Sequence, residues 1–342
     1  MRTRVQTQRH ADGIVGAARM GLTLAHQIAA NGHDVVLLTT MEERAAELRE
    51  TGTVAAILPE LSQMHPRVLV TTDPQVLGER ATLIFVTISD SLLTRVLDLL
   101  GDHLDGANMI VHATHSLYGT ELQRSSELIE AHTCVKQVGV LAGPLHMSEI
   151  LTEMPNVALV GSEFPEVVRR VREVLGTEHI HIYGSPDLRG IEFAAALHQV
   201  VVLAIGMVDG TELGSATHAA YVAAGLQEIM RVGVALGAQE DSFYGLVGVG
   251  RIVDALQSGG NDANYRVGHA FVRAKDPAAV LQSAPPEAKS LEVIDQLVSW
   301  SATHGVELVF VPSIAAILAG EVDAATTLRG MLRHSDVFSL AE

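Results

Sequence analysis

The sequence has 342 residues, of which 48% are hydrophobic but only 4% aromatic, and its formal net charge is −17. This length allows two domains with aliphatic cores, and the strong negative charge argues against binding to a nucleic-acid backbone. The single cysteine, Cys134, excludes an internal disulfide and fits a reducing compartment. Because the basic start MRTRVQTQRH has no apolar stretch behind it, we expect no secretory signal and a soluble, cytoplasmic protein.

The first half of the chain alternates short β-branched runs with amphipathic helical stretches, which is typical of a parallel α/β sheet. A helix is predicted over roughly Met20–Ala30, ended by Asn31-Gly32. Asp12-Gly13 falls where the core of the first strand should begin, which indicates either a shortened strand or a weakened cofactor site. The strand candidates are Ile14–Val15, Val35–Leu38, Val68–Val70, Leu83–Thr87, Met109–His112, Val135–Val140, Ala158–Val160 and His179–Tyr183.

After Leu188 long helical patterns replace the strands, with breaks predicted at 210–214, 237–241, 258–261 and 283–286. The stretch Gly190–Gly210 is apolar or small at nearly every position, so it must be surrounded by protein or lipid. Glu192, His198 and Gln199 within it argue against a membrane span and favour a central buried helix. His198 is then either a satisfied core histidine or a functional group.

These patterns predict an α/β protein with two domains. Residues 1–187 are expected to form a Rossmann-type doubly wound sheet that binds a dinucleotide. Residues 188–342 are expected to form an all-helical domain that binds the substrate.

The segment Gly16–Gly21, GAARMG, lies between the first strand and the first helix, where dinucleotide-binding folds hold the pyrophosphate. In such loops the first glycine makes the tight turn and the third allows helix and strand to pack closely. The middle position is Ala18, which adds a methyl group where the backbone should approach the ligand. We predict that Gly16, Ala18, Arg19, Met20 and Gly21 bind the cofactor.

The end of the second strand bears on the choice between the two nicotinamide cofactors. An acidic residue there would bind a ribose hydroxyl of NAD, but Thr39 and Thr40 stand in its place. With no carboxylate to repel a 2′-phosphate and with Arg44 close behind, NADP is slightly favoured over NAD. The alternative is that the two threonines only end the strand.

Seven segments, in order, resemble the soluble NAD(P)-dependent glycerol-3-phosphate dehydrogenases over nearly the whole chain. They are IVGAARMG (14–21), LAGPLHMSE (141–149), ALHQVVVLAIGMVDG (196–210), GLQEIMRVGVALGA (225–238), FYGLVGVGRI (243–252), NYRVGHAF (264–271) and HGVELVFV (304–311). The resemblance implies a Rossmann domain followed by a helical domain, with the active site between them, in a homodimer. It also implies the reduction of dihydroxyacetone phosphate to glycerol 3-phosphate.

Several substitutions fall at positions where this family does its chemistry. The family's lysine in the buried helix is His198 here, the asparagine after it is Gln199, and a second lysine is His115. Histidine can still donate a proton to a developing alkoxide, and general acid catalysis of this kind contributes roughly 10²–10⁴-fold. We predict that His198 is the acid/base, His115 a second donor, and Gln199 a substrate-binding group.

Further substitutions concern the groups that hold the substrate. Arg251 stands where the family has an aspartate, and Ala255 stands where it has a threonine. Ala263 replaces the arginine that grips the substrate phosphate, whereas Asn264 is kept. We predict Arg251 and Asn264 as substrate-positioning groups, with Asn264 also in the catalytic set, and Arg266 as a cofactor contact. The alternatives are a helix-end cation for Arg251 and a solvated helix face for Arg266.

The leading hypothesis is an NAD(P)-dependent dehydrogenase that acts on a small 2-hydroxy or 2-keto substrate, phosphorylated or not. The first alternative is a catalytically silent homologue that binds a nucleotide or a partner protein. The second is ordinary glycerol-3-phosphate dehydrogenase activity despite the substitutions. The 16 histidines show no metal-ligand spacing, so no metal site is predicted.

Overall fold

One eight-stranded sheet organises the N-terminal part of the chain, and its strands follow the predicted apolar runs closely. The computed structural model describes residues 10–53, 55–258 and 260–333. The strands are β1 (Ala11–Val15), β2 (Asp34–Leu38), β3 (Val68–Thr71), β4 (Ala81–Val86), β5 (Met109–His112), β6 (Gln137–Ala142), β7 (Asn156–Gly161) and β8 (Ile180–Ser185). Their order is β3-β2-β1-β4-β5-β6-β7-β8, with β6 and β7 antiparallel and the other neighbours parallel. This confirms the predicted doubly wound sheet.

Helices connect these strands, as the alternating pattern predicted. They are α1 (Arg19–Ala30), α2 (Glu42–Thr51), α3 (Pro74–Arg80), α4 (Leu93–Gly101), α5 (Ser125–His132), α6 (Met147–Leu151) and α7 (Pro165–Leu175), with a short 3₁₀ turn at Asp90–Leu92. The predicted helix Met20–Ala30 is confirmed, with its start one residue earlier. It ends where expected, because Gly32 has a φ of +96° that a side chain rarely adopts.

The first strand is complete, so the predicted shortening is wrong. Ala11, Asp12 and Gly13 are buried and pair with β2, and β1 also pairs with β4. The carboxylate of Asp12 accepts two hydrogen bonds from Arg170 of α7, at 2.8 and 2.9 Å. A Cβ at Gly13 would lie 2.7 Å from Cδ1 of Leu77, so any other residue would force this buried side chain to shift. A buried ion pair and close packing therefore accommodate the two residues that looked out of place.

The C-terminal part of the chain is helical in the residues that the structure describes. Its helices are α8 (Leu188–Gly210), α9 (Ser215–Ala235), α10 (Asp241–Tyr244), α11 (Arg251–Gln257), α12 (Ala263–Arg273), α13 (Pro277–Gln282), α14 (Ser290–His304), α15 (Phe310–Leu318) and α16 (Ala324–Met331). Within the described ranges, α8 is the one helix long and apolar enough to cross a membrane, and its apolar window is wholly buried inside the protein. The predicted central buried helix is confirmed.

The chain divides into two compact units, and the division is interleaved. The first unit comprises Met1–His115 and Ser125–Leu188, and the second comprises Ser116–Arg124 and Arg189–Glu342. The predicted absence of a secretory signal concerns residues 1–10, of which 1–9 lie outside the described residues. So do 334–342, at the end of the predicted helical domain, and position 259, within a predicted break.

The segment Ser116–Arg124 is held by helices of the second unit. Nη1 of Arg124 donates to Oε2 of Glu192 in α8 at 2.8 Å, and both side chains are buried. Nε2 of Gln296 in α14 donates to the carbonyl oxygen of Leu117 at 2.9 Å. A buried charge pair and a main-chain hydrogen bond thus fix this short segment to two helices that come much later in the sequence.

Glu228 of α9 anchors the start of α15. Its carboxylate accepts hydrogen bonds from the main-chain N–H groups of Val309, Phe310 and Val311, at 2.7, 2.9 and 2.6 Å. The first N–H groups of a helix have no partner within the helix, and a negative charge there is favourable. This buried side chain therefore does from another helix what a capping residue does locally.

Replacing Glu228 by glutamine is expected to lower the free energy of unfolding by about 1.5–3 kcal/mol, because the negative charge is lost and one accepting oxygen is replaced by an NH2 group that cannot accept. Urea unfolding followed by far-UV circular dichroism measures the change. Glu307→Gln is the matched control, since Glu307 is exposed and precedes the same helix by a few residues. Equal stability of the two variants would contradict this role.

Candidate functional site

A cleft of about 380 Å³ opens at the carboxyl ends of β1, β2 and β4. The strand order reverses at this point, with β2 on one side of β1 and β4 on the other, and ligands of doubly wound sheets bind at such switch points. The cleft is lined by Val15, Gly16, Ala17, Ala18, Leu38, Thr39, Thr40, Met41, Arg44, Ile57, Thr87, Ile88, Ser89, Leu92 and Val96. Five of the predicted cofactor residues, Gly16, Ala18, Thr39, Thr40 and Arg44, are among them.

The glycine loop has the geometry that a dinucleotide requires. Gly16 has a φ of +112°, and a Cβ there would lie 2.7 Å from the carbonyl oxygen of Thr87. Its N–H donates to the carbonyl oxygen of Leu38 at 2.9 Å, which ties the start of the loop to the end of β2. A Cβ at Gly21 would overlap the carbonyl oxygen of Gly16, so Gly21 permits close packing of α1 on β1 and does not itself line the cleft.

Three of the four residues between these glycines were predicted to bind the cofactor, and they have different surroundings. Ala18 is exposed at the start of α1, which begins without a side-chain cap, so the first N–H groups of this helix can bind an anion. Arg19 forms an ion pair with Glu60. Met20 packs against the apolar core. The loop therefore offers main-chain donors and a methyl group to a ligand, and its arginine is engaged elsewhere.

Two threonines directly follow β2, of which Thr39 is buried and Thr40 is exposed. Oγ1 of Thr39 accepts a hydrogen bond from the N–H of Met41 at 3.3 Å, and the residue is buried, so its hydroxyl helps to end the strand. Thr40 is exposed at the rim of the cleft. Arg44 of α2 lines the same rim, and its Nη1 lies 3.9 Å from Oε2 of Glu47. Thr40 and Arg44 are thus the polar side chains of this rim.

Sequence reasoning missed the wall of the cleft formed by Thr87, Ile88 and Ser89. Oγ1 of Thr87 donates to the carbonyl oxygen of Val15 at 3.0 Å, which ties this wall to the end of β1. These residues directly follow β4, the neighbour of β1. The rule that the carboxyl ends of adjacent strands meet at a switch point could have found them.

His198, Gln199 and Asn264 lie in the second unit and are all buried. Nδ1 of His198 lies 3.1 Å from the carbonyl oxygen of Ala194, one turn earlier in α8, so Nδ1 carries a proton and donates it to this bond. Nδ2 of Asn264 donates to Oε1 of Gln199 at 3.5 Å. Oδ1 of Asn264 accepts from the N–H of Ser290 at 3.0 Å. The structure therefore joins the predicted substrate-binding amides of Gln199 and Asn264 in one network.

Arg251 and Arg266, the two arginines predicted as site residues in this unit, have different surroundings. Nη1 of Arg251 donates to Oδ2 of Asp254 at 2.8 Å within α11. The helix follows a π-helical turn at Leu246–Gly250, a conformation frequently found near functional sites. Arg266 is exposed on α12, three residues after Ala263.

His115 lies in the first unit, in the turn after β5. Its Nε2 donates to the carbonyl oxygen of Leu141 at the end of β6, at a distance of 3.1 Å. This bond fixes the ring against the sheet. The predicted residues that line the cleft thus belong to the same unit as His115, whereas His198, Gln199 and Asn264 are buried in the other unit.

Two family models match successive parts of the chain. The family model described as NAD-dependent glycerol-3-phosphate dehydrogenase N-terminus matches residues 13–168, and the model described as its C-terminus matches residues 187–329. A glycerol-3-phosphate dehydrogenase (NAD(P)+) from Halalkalibacterium halodurans is 30% identical over 273 residues, which cover 79% of this chain and 78% of that one. The chain belongs to the NAD-dependent glycerol-3-phosphate dehydrogenase family. This confirms the predicted resemblance.

Other members of the glycerol-3-phosphate dehydrogenase family extend the match over almost the full length. A relative from Leptospira biflexa is 27% identical over 324 residues, covering 94% of this chain and 96% of that one. The structure of glycerol-3-phosphate dehydrogenase from Coxiella burnetii has a TM-score of 0.83 at 22% identity, covering 95% and 99% of the two chains. The likeness to that structure confirms the fold.

Proposed function

We propose that this chain is an NAD(P)-dependent dehydrogenase that transfers a hydride between the nicotinamide and a small 2-hydroxy or 2-keto substrate. The observation that carries the proposal is the cleft at the switch point of the sheet, with its Gly16 turn, in a chain whose two halves match the two halves of the family. Nothing in the described residues or the comparisons favours the catalytically silent alternative.

The described residues fit a dinucleotide. The Gly16 turn leaves the space that a Cβ would fill, and the uncapped start of α1 at Ala18 suits a pyrophosphate. Thr40 and Arg44 would face the adenosine ribose, which favours NADP slightly over NAD. The bound nicotinamide supplies or accepts the hydride. In this proposal residues 1–187 hold the cofactor and residues 188–342 hold the substrate.

His198 is the group proposed to move the proton. Because Nδ1 donates to the main-chain oxygen of Ala194, Nε2 is the nitrogen that can exchange a proton with the substrate oxygen. A proton held at Nε2 would stabilise the developing alkoxide in a buried site, where such interactions are stronger than in water. The amides of Gln199 and Asn264 would orient the substrate beside it, and His115 would be a second donor.

The substrate is proposed to be held differently from that of the relatives named for glycerol 3-phosphate. Ala263, the first residue of α12, has no donor side chain, and the carboxylate of Asp262 accepts from the N–H of Asn264 at 2.8 Å. A phosphate dianion placed there would meet a carboxylate in place of a guanidinium. Arg251, already paired with Asp254, is the proposed anion contact in this unit.

The first test is a fluorescence titration of the purified protein with NADPH and with NADH. Dihydroxyacetone phosphate, unphosphorylated dihydroxyacetone and short 2-keto acids are then added in turn, and nucleotide oxidation is followed at 340 nm (the nicotinamide absorbance). Binding followed by oxidation with any of them supports the proposal, and the order of activities identifies the substrate class. Failure to bind either nucleotide, or binding without turnover on the whole panel, contradicts it.

Thr40→Asp is expected to shift the cofactor preference towards NADH. The new carboxylate would repel the 2′-phosphate of NADPH and accept a hydrogen bond from the ribose of NADH. We expect the ratio of the NADPH to the NADH dissociation constant to rise by at least about tenfold, which is about 1.4 kcal/mol. Thr51→Asp, exposed at the end of α2 and outside the set of cleft-lining residues, is the control. If Thr40→Asp leaves the ratio of the two dissociation constants unchanged, the threonines do not influence the choice of cofactor and serve only to end the strand.

A cytoplasmic location and a homodimer complete the proposal. The single cysteine supports a reducing compartment, and the resemblance to dimeric dehydrogenases supports the dimer. Light scattering on the eluting protein tests the oligomeric state, and a monomer at all concentrations would contradict this part.

A further inference from the structure

Helices α8 and α12 are in direct main-chain contact. A Cβ at Gly206 of α8 would overlap the carbonyl oxygen of Tyr265, and a Cβ at Gly268 of α12 would overlap the carbonyl oxygen of Leu203. A Cβ at Gly210, one turn after Gly206, would lie 2.8 Å from the carbonyl oxygen of His269. Glycine permits this close approach. The two helices therefore cannot move closer to each other.

Two pairs of polar side chains bridge these helices. Asn264 at the start of α12 donates to Gln199 of α8, the residue next to His198. Tyr265 donates its hydroxyl to Oδ2 of Asp209, in the last turn of α8. The neighbouring residues Asn264 and Tyr265 therefore tie the same turn of α12 to two separate turns of α8.

Two histidine side chains lie close to the Tyr265–Asp209 pair. The other carboxylate oxygen of Asp209 lies 2.7 Å from Nε2 of His218 in α9. The ring of His269 stacks on that of Tyr265 with the centroids 6.2 Å apart. Burial, followed by the hydrogen bond to Asp209 and its charge, raises the pKa of Tyr265 to about 12. The hydroxyl therefore remains a donor throughout the pH range in which enzymes are assayed.

We propose that Tyr265, held by Asp209, is a positioning residue that sets the place of Asn264 beside Gln199 and His198. The inference rests on the proposed function, in which Asn264 contacts the substrate. The first turn of α12 is fixed by the cap of Asp262, whose carboxylate accepts from the N–H groups of Asn264 and Tyr265 at 2.8 and 3.2 Å, and by the two bridges. Removing one bridge frees this turn to shift, and a misplacement of about 1 Å can lower a rate by roughly 10²-fold.

Tyr265→Phe tests the proposal, because it removes the hydroxyl and keeps the ring. We expect kcat/KM for the carbonyl substrate to fall by at least about tenfold, with the NADPH dissociation constant within about twofold of the wild type. Asp209→Asn keeps an oxygen that accepts from Tyr265 and should retain most of the activity, whereas Asp209→Leu should behave like Tyr265→Phe. Arg273→Ala, which breaks an exposed pair with Glu212 at the other end of α12, is the control.

Hydrogen exchange at the start of α12 gives a readout independent of turnover. Faster exchange around residues 263–266 in Tyr265→Phe, but not in Arg273→Ala, supports the positioning role. Unchanged exchange, or wild-type kinetics of Tyr265→Phe, overturns it, as does an equal loss in Asp209→Asn and Asp209→Leu. A wild-type protein without turnover on any substrate contradicts the proposed function, and the exchange result then decides by itself whether Tyr265 positions Asn264.

Discussion

Replacement of His198 by alanine is expected to lower turnover at least about tenfold, and by roughly 10²–10⁴-fold if proton transfer limits the reaction. The imidazole is 3% exposed and donates from Nδ1 to its own helix, and Nε2 is the nitrogen proposed to exchange a proton with the substrate oxygen. Alanine removes the proton carrier and leaves the cleft of the first unit unchanged. Steady-state kinetics should therefore show a lower kcat, while the NADPH dissociation constant stays the same.

His304→Ala is a matched control for this variant. Nδ1 of His304 lies 3.0 Å from the carbonyl oxygen of Trp300, one turn earlier in α14, so the same type of hydrogen bond is lost. The control should keep its kcat. If His198→Ala also keeps its kcat and loses only stability, His198 is the satisfied core histidine that the apolar helix also allowed.

Replacement of Arg170 by methionine is expected to lower the free energy of unfolding by about 3–5 kcal/mol at neutral pH. The substitution removes both hydrogen bonds from Arg170 to the buried carboxylate of Asp12, whose Oδ2 also lies 3.8 Å from Nδ1 of His33. Urea denaturation measures the loss. Arg169→Met is the control, because Arg169 is the exposed neighbour on α7. Its Nη1 lies 3.8 Å from Oε2 of Glu173. Similar losses in both variants would contradict the importance of the buried pair.

The loss of stability in the Arg170 variant is expected to be smaller at low pH than at neutral pH. Burial raises the pKa of Asp12 in spite of the opposing effect of Arg170, and removing the arginine raises it further. A carboxyl group whose pKa is higher in the folded state binds its proton more tightly when folded, so stability is lost as the pH rises through that pKa and recovered as it falls. The deficit relative to the wild type should thus be smaller at about pH 5 than at pH 7. A deficit that grows on acidification would contradict this account.

Local patterns predicted the sheet well because each strand is a short β-branched run between turn residues. They failed at β1, where Asp12 breaks the apolar pattern and is neutralised by Arg170, which lies 158 positions later. No local pattern contains such a partner. The glycine loop was predictable because its requirements are local, as the positive φ of Gly16 shows. In contrast, the ion pair between Arg19 and Glu60 depends on the tertiary fold. The hydrogen bond from the N–H of Met41 to Thr39 depends on the geometry of the turn after β2. The residue types alone do not indicate either contact.

The helical unit was less predictable in detail for the same reason. The apolar pattern of α8 indicated burial, but the bond from Asn264 to Gln199 joins positions 65 residues apart. Arg251 was predicted as a substrate-positioning group, and its pair with Asp254 follows from an i, i+3 spacing that could have been read from the sequence.

The segment Ser116–Arg124 has a consequence for the order of events during synthesis. The ribosome releases it before Glu192 and Gln296, the residues that bind Arg124 and the Leu117 carbonyl, have been made. During elongation Arg124 must therefore remain hydrated, and Leu117 and Leu122, buried in the finished protein, have no helical unit to cover them. A fragment that ends at residue 187 would keep this incomplete state permanently. We expect such a fragment to be more aggregation-prone and more sensitive to proteolysis near residues 116–124 than the full chain.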